Sequence, residues 1–210
     1  MNTTVFRFGI LTGFMASAFA MVFTAPVPSA SATTSAMSVV GPTKPPIGHY
    51  HFCQRRPGEC TAQPGASDPV VMNGAAWRAM NSVNREVNAS VFPLTDMEMY
   101  GVEEIWSYPD QVGDCEDYVL EKRRQLMALG FSASNLLITV VLQPNREGHA
   151  VLTVRTSQGD FILDNMRDEI RHWRDTEYVY IKRQSQTHAG RWDKLRDGRA
   201  NTVGSVMMLR

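Results

Sequence analysis

Two stretches of the chain carry apolar residues at helical spacing. Between residues 73 and 91, Trp77, Met80, Val83, Val87 and Val91 step by three or four with polar residues between them. That pattern predicts an amphipathic helix, stopped by Phe92-Pro93. Tyr118, Val119, Lys122, Leu126 and Leu129 repeat the spacing and end at Gly130, a natural C-cap, with Asp114 as a good N-cap. Between the two, Thr95 and Glu98 form a capping box for a short helix carrying Met99, Val102 and Ile105.

The period then changes. Residues 136–142 are a continuous β-branched run, read as a buried strand. Residues 149–156 alternate, with Ala150, Leu152 and Val154 on one face and His149, Val151 and Thr153 on the other. Ser157-Gln158-Gly159 turns the chain, and residues 161–164 return antiparallel. Residues 178–183 and 206–209 read as further strands, with Trp192 and Leu195 in a polar segment between them. Helices first and an antiparallel sheet afterwards make an α+β fold.

With 210 residues, 43% of them hydrophobic, the chain is long enough for one domain with a real core. Lysine plus arginine and aspartate plus glutamate stand at 21 each, so no basic excess supports nucleic-acid binding. Arg7 and the apolar run 8–23 read as a signal peptide spanning residues 1–32, with Ala30-Ser31-Ala32 as cleavage site and Ala18-Phe19-Ala20 as an alternative. An uncleaved membrane anchor is the competing reading. Export places the protein in the periplasm or outside the cell. Residues 33–50, rich in Ser, Thr, Pro and Gly, read as a linker or extended arm, followed by one domain over 51–210.

Export changes the meaning of the cysteines. Cys53 and Cys60 are close enough to close a small disulfide loop, worth about 2–3 kcal/mol in the chain-entropy model. A zinc site from His51, Cys53, Cys60 and one distant ligand is the alternative. Pairing leaves Cys115 as the odd thiol. It sits in the first turn of the second helix, where free N–H groups and the helix dipole favour thiolate. His149 opens the next-but-one strand and Asp164 closes its partner, the order a nucleophile, base and orienting acid require. His51, His172 and His188 compete with His149, and Asp160 and Asp168 with Asp164; none has the same placement. One geometric obstacle stands. A two-residue Gln158-Gly159 turn sets Asp164 opposite Thr153, too far from His149 for a direct hydrogen bond unless a bulge or twist closes the gap.

At Gly113-Asp114-Cys115-Glu116-Asp117-Tyr118, at Gly148-His149-Ala150-Val151-Leu152 and at Leu163-Asp164-Asn165, the sequence resembles the bacterial transglutaminase-like cysteine peptidases, the LapG-like periplasmic proteases. The likeness extends over roughly residues 45–195, including Val83-Asn84, Val87-Asn88, Tyr100-Gly101, Trp106 and Lys182-Arg183-Gln184-Ser185. It implies a papain-like, transglutaminase-core fold with Cys115 as nucleophile, His149 as base and later acid, and Asp164 as orienting acid. It also implies calcium held by Asp114 and Glu116, acids that otherwise cap the helix and feed its dipole. No organic cofactor is expected. The oxyanion donors would be the Cys115 N–H with Trp106 or Gln111, and Asn165 would support the cleft.

The expected function is therefore an exported cysteine endopeptidase acting on an envelope or surface protein, adhesin-like by resemblance. A monomer under an inner-membrane regulatory receptor completes that picture. Competing readings are a transglutaminase or amidase acting on envelope protein or peptidoglycan peptide, and a non-catalytic calcium-dependent binding module.

Overall fold

A computed structural model describes residues 1–3, 36–63 and 68–197. All of the signal-peptide region but residues 1–3, and the strand expected at 206–209, lie outside the described residues. Seven strands form one antiparallel sheet in the order β1-β9-β8-β4-β5-β6-β7. They are β1 (Ser38–Thr43), β4 (Leu136–Leu142), β5 (Gly148–Thr156), β6 (Gly159–Asp164), β7 (Arg167–His172), β8 (Val179–Gln184) and β9 (Trp192–Arg196). The short β2 (Phe92–Pro93) and β3 (Val112–Gly113) pair separately in parallel. The fold is α+β, with N-terminal helices packed on a large antiparallel sheet, as in the papain-like and transglutaminase core.

Helix α2 (Gly74–Ser90) starts where Asn73 accepts the N–H groups of Ala75 and Ala76. It packs on α4 (Cys115–Ala128) through the predicted stripe, with Met80, Val83 and Val87 buried. Trp77, from the same stripe, is 39% exposed and meets Phe161 edge-on. The Thr95–Glu98 capping box forms and opens α3 (Asp96–Tyr100), but Gly101 ends it in the left-handed conformation, so Val102 and Ile105, expected on this helix, lie beyond it. The sheet is apolar on both faces. Ala150, Leu152 and Val154 join the core beneath α2 and α4, whereas Val151 joins Val141, Ile162, Trp173 and Tyr180 in a second cluster. That split follows the alternation read from the sequence.

Two regions differ from expectation. Within the stretch read as a linker or extended arm, residues 38–43 are an edge strand and residues 47–50 are helical. β1 pairs with β9, and Ile47 opens helix α1 (Ile47–Arg55). The segment holding Trp192 and Leu195 is that partner strand, its two apolar side chains buried at 1% and 5% exposure. Cys53 and Cys60 are joined, which removes the thiolates a zinc site needs, and His51 is exposed and bonded to Gln54 instead. Among the described residues no helix is long and apolar enough to cross a membrane.

Candidate active site

The hairpin register resolves the obstacle noted in the sequence. Thr156 faces Gly159, so Ser157-Gln158 forms the turn, and Gly159 takes a left-handed φ of 114°. Leu152 then faces Leu163, and continuing the register sets Asp164 opposite Val151, only two residues from His149. A diagonal pair on one face is within side-chain reach. A bulge between β6 and β7 falls beside Asp164. The outcome is a 2.9 Å hydrogen bond between His149 Nε2 and Asp164 Oδ1, both residues buried.

Asp164 is held from three further directions. The Tyr178 hydroxyl donates to Oδ2 at 2.6 Å, the Met166 N–H donates to Oδ1 at 3.0 Å, and Asn88 Nδ2 donates to its backbone carbonyl. Burial alone would raise the carboxyl pKa. The hydrogen bond and charge of His149, with the Tyr178 and Met166 donors, hold it below the ordinary carboxylate value. The same burial and the neighbouring carboxylate push the Tyr178 phenol upward, so it stays a donor. With Nε2 turned to the acid, Nδ1 is the imidazole nitrogen left for chemistry.

Cys115 is the free cysteine, and it opens α4. Its backbone N–H has no intrahelical partner by position. The thiol donates to Glu116 Oε2 at 2.8 Å. Its pKa lies well above the ordinary thiol value, because the group is buried and because the Glu116 charge and hydrogen bond favour S–H. The helix-start argument for thiolate is thus outweighed in this arrangement by desolvation and an adjacent acid. Asp114 occupies the N-cap position but makes no capping hydrogen bond, and its Oδ1 is buried without a partner.

Asp114 turns instead toward other acids. Carboxylate oxygens of Asp96, Asp114 and Glu116 lie within 4.8 Å of one another. Burial, then the charges of Glu116 and Asp96, push Asp114 up to about 8, and burial also raises Glu116. Asp117 behind them is raised by burial to about 7 while accepting the Ser107 N–H. It sits hard against Gly113, where a Cβ would come within 2.8 Å of the Asp117 Cβ. Three carboxylates converge here, and Asp96 Oδ1 and Asp114 Oδ1 are buried without a partner, a donor set of the kind a hard cation takes.

Cys115, Glu116, His149 and Ala150 share the lining of one cavity of about 360 Å³ with Pro46, Ile47, Glu104, Trp106, Val140, Gly148 and Lys182. The arm residues therefore form part of the cleft wall. Gly48 is obligatory there, since a Cβ would lie 2.3 Å from the Trp106 ring. The Trp106 indole N–H is already donated to Glu104 Oε2 at 3.2 Å, and Gln111 is exposed and outside the cavity lining. Asn165 lies after β6, also outside it.

The rival residues have other partners. Asp160 is bound by Arg183 and the Met37 N–H, Asp168 by Asn88, His188 by the Gly190 N–H, and His172 caps the turn after β7. Tyr178, Asp96 and Glu104 carry no local motif for a site role. Only the long-range folding of β8 and α3 toward the cysteine helix brings them in.

Comparison with known proteins adds an independent view. A family model for the bacterial transglutaminase-like cysteine proteinases matches residues 39–200. The structure is similar to calcium-bound Legionella pneumophila LapG, at 21% identity and TM-score 0.50, over 63% of this chain and 80% of that one. A further structure of the same Legionella pneumophila protein and its EGTA-treated form align at 24% and 22% identity, each with TM-score 0.48. Both cover 63% of this chain, and 76% and 77% of theirs. At 21% identity the likeness to the calcium-bound form speaks for the fold alone. No curated protein matches the chain.

Proposed function

Because the chain belongs to the bacterial transglutaminase-like cysteine proteinase family, we propose that it is an exported endopeptidase in which Cys115, His149 and Asp164 form the catalytic triad. The observation that carries this reading is the buried imidazole–carboxylate pair beside a cavity that the free thiol also lines. His149 Nδ1 takes the thiol proton, and the thiolate attacks a peptide carbonyl to form a C–S bond. The Cys115 N–H, at the helix start, is one oxyanion donor. The imidazolium, steadied by Asp164, gives its proton to the leaving amine; water activated by the same imidazole then releases the acyl group. Asp164 and Tyr178 fix which nitrogen faces the thiol.

Asp96, Asp114 and Glu116 are proposed to hold calcium. When bound there, the ion supplies positive charge that offsets the acids now favouring the neutral thiol, and it fixes the loop before α4. A calcium-induced rise in Tm that Asp114→Asn largely removes supports this site. No rise in wild type leaves the three acids without a metal role. The apolar leader read from the sequence and the Cys53–Cys60 disulfide support an oxidising, periplasmic or extracellular setting. The substrate is proposed to be an envelope or surface protein, with an inner-membrane receptor as regulator.

The test compares the protein termini of the envelope proteome in cells making wild-type enzyme and Cys115→Ala. New termini confined to the wild type support the peptidase, and identical termini refute it.

A further inference from the structure

The charged groups around the catalytic cavity are unequally engaged. Glu116 accepts a hydrogen bond from the Cys115 thiol, and His149 is bound to Asp164. Glu104 directs Oε2 at the Gly48 N–H and the Trp106 indole, on a backbone held in the left-handed region at φ 63°. Lys182, on β8, is the one lysine or arginine among the described residues lining the cavity. Its ammonium donates to the Lys44 carbonyl at 3.1 Å and stands 5.9 Å from the centre of the Trp192 ring. An ammonium has three donors, so two remain. Among the described residues no carboxylate lies within salt-bridge range of it.

A lysine tethered in this way is preorganised. The carbonyl and the indole face fix its head, so little rotamer freedom is lost when a ligand binds. Pro46, Ile47 and Val140 contribute apolar surface to the same cavity, and apolar surface strengthens an ionic contact once substrate excludes water. Burial lowers the Lys182 pKa and the charge of Glu104 opposes that shift, in keeping with a cation partly withdrawn from solvent.

Resting on the peptidase reading above, we infer that Lys182 is a specificity-determining residue that selects an acidic side chain at a fixed position close to the scissile bond. The acidic group pairs with the two free ammonium donors while the flanking backbone crosses Cys115. Neutral peptides of the same shape lose that contact, and basic ones meet repulsion.

A randomised decapeptide library, incubated in calcium-containing buffer with wild type, Lys182→Glu, Lys182→Gln and Cys115→Ala, tests this through the sites cleaved. Wild type is expected to enrich Asp and Glu at one position near the cut, with kcat/KM roughly tenfold or more above the neutral counterparts. Lys182→Glu should lose that enrichment and gain Lys and Arg at the same position. If thermal melting shows that Lys182→Glu does not fold, Lys182→Gln decides, and its profile should be flat there. Cys115-dependent cleavage with the same profile in the folded Lys182 variants overturns this inference alone. Absence of any cleavage beyond the Cys115→Ala control overturns the peptidase reading and this inference with it.

Discussion

His49 and His149 are both buried and both belong to regions built around a cysteine, yet their surroundings differ in kind. His49 lies 3.6 Å from the Cys53 sulfur, but that sulfur is bonded to Cys60. Its ring meets Trp106 and Trp192 edge-on, and its two nitrogens face the Trp192 indole N–H and the Gln184 amide. Burial, then the charge of Arg123, lowers its pKa to about 4. His149 has a carboxylate on one nitrogen and an open cavity beside it. Nearness of imidazole to sulfur therefore does not define a catalytic pair. What separates the two is a free thiol and an anion placed to receive the imidazolium charge.

The sharpest way to break the contrast is Cys115→Ala. Peptide cleavage should fall by roughly 10³-fold or more with Tm nearly unchanged; turnover retained in the purified variant puts the nucleophile elsewhere. Asp164→Asn comes next, with a fall in kcat of roughly 10²- to 10⁴-fold as the anion that steadies the imidazolium is lost. A wild-type kcat in that variant would make His149 no more catalytic than His49.

The other histidine should answer in stability rather than rate. His49→Ala is expected to cost about 2–4 kcal/mol by denaturant unfolding, while kcat of the folded fraction is kept. The pH dependence has a definite sign. An unfolded histidine binds a proton below about 6.5, whereas folded His49 does so only below about 4. Its contribution is therefore complete above 6.5 and shrinks as pH falls toward 4, narrowing the gap between wild type and variant by about 3 kcal/mol. A gap constant across that range means the ring is not held neutral. The smallest effect belongs to Tyr178→Phe, which removes one hydrogen bond to Asp164 and should slow cleavage by roughly three- to tenfold. No slowing shows that His149 and the Met166 N–H suffice to hold the acid.

How much of this was legible beforehand depended on how local each cause is. The helix after Cys115, the stripe from Met80 to Val87 and the Thr95–Glu98 box need only neighbours in sequence, and they formed as read. The edge strand β1 was hidden by glycine and proline, and β9 by alternating charged positions; each needs the other as partner. Of the turn read at Ser157-Gln158-Gly159, the two central residues are Ser157-Gln158, which sets Asp164 two places nearer to His149 than a Gln158-Gly159 turn would. Lys122, counted as a helical stripe position, is fully buried and lowered to about 7 by that burial. The thiol was misjudged for the same reason. A dipole is readable at a helix start, but the degree of burial and the aim of the Glu116 carboxylate belong to the tertiary structure.

The pairing of β1 with β9 has a further consequence for how the molecule matures. Pro46 and Ile47, which close one side of the cleft, follow directly on a strand that can zip into place only after the far end of the sheet has been synthesised and aligned. A nascent chain carries the proposed nucleophile well before it has a complete groove to use it in. Competence to cut would thus arrive as the last event of assembly, sparing the polypeptides that surround the enzyme during its own biogenesis.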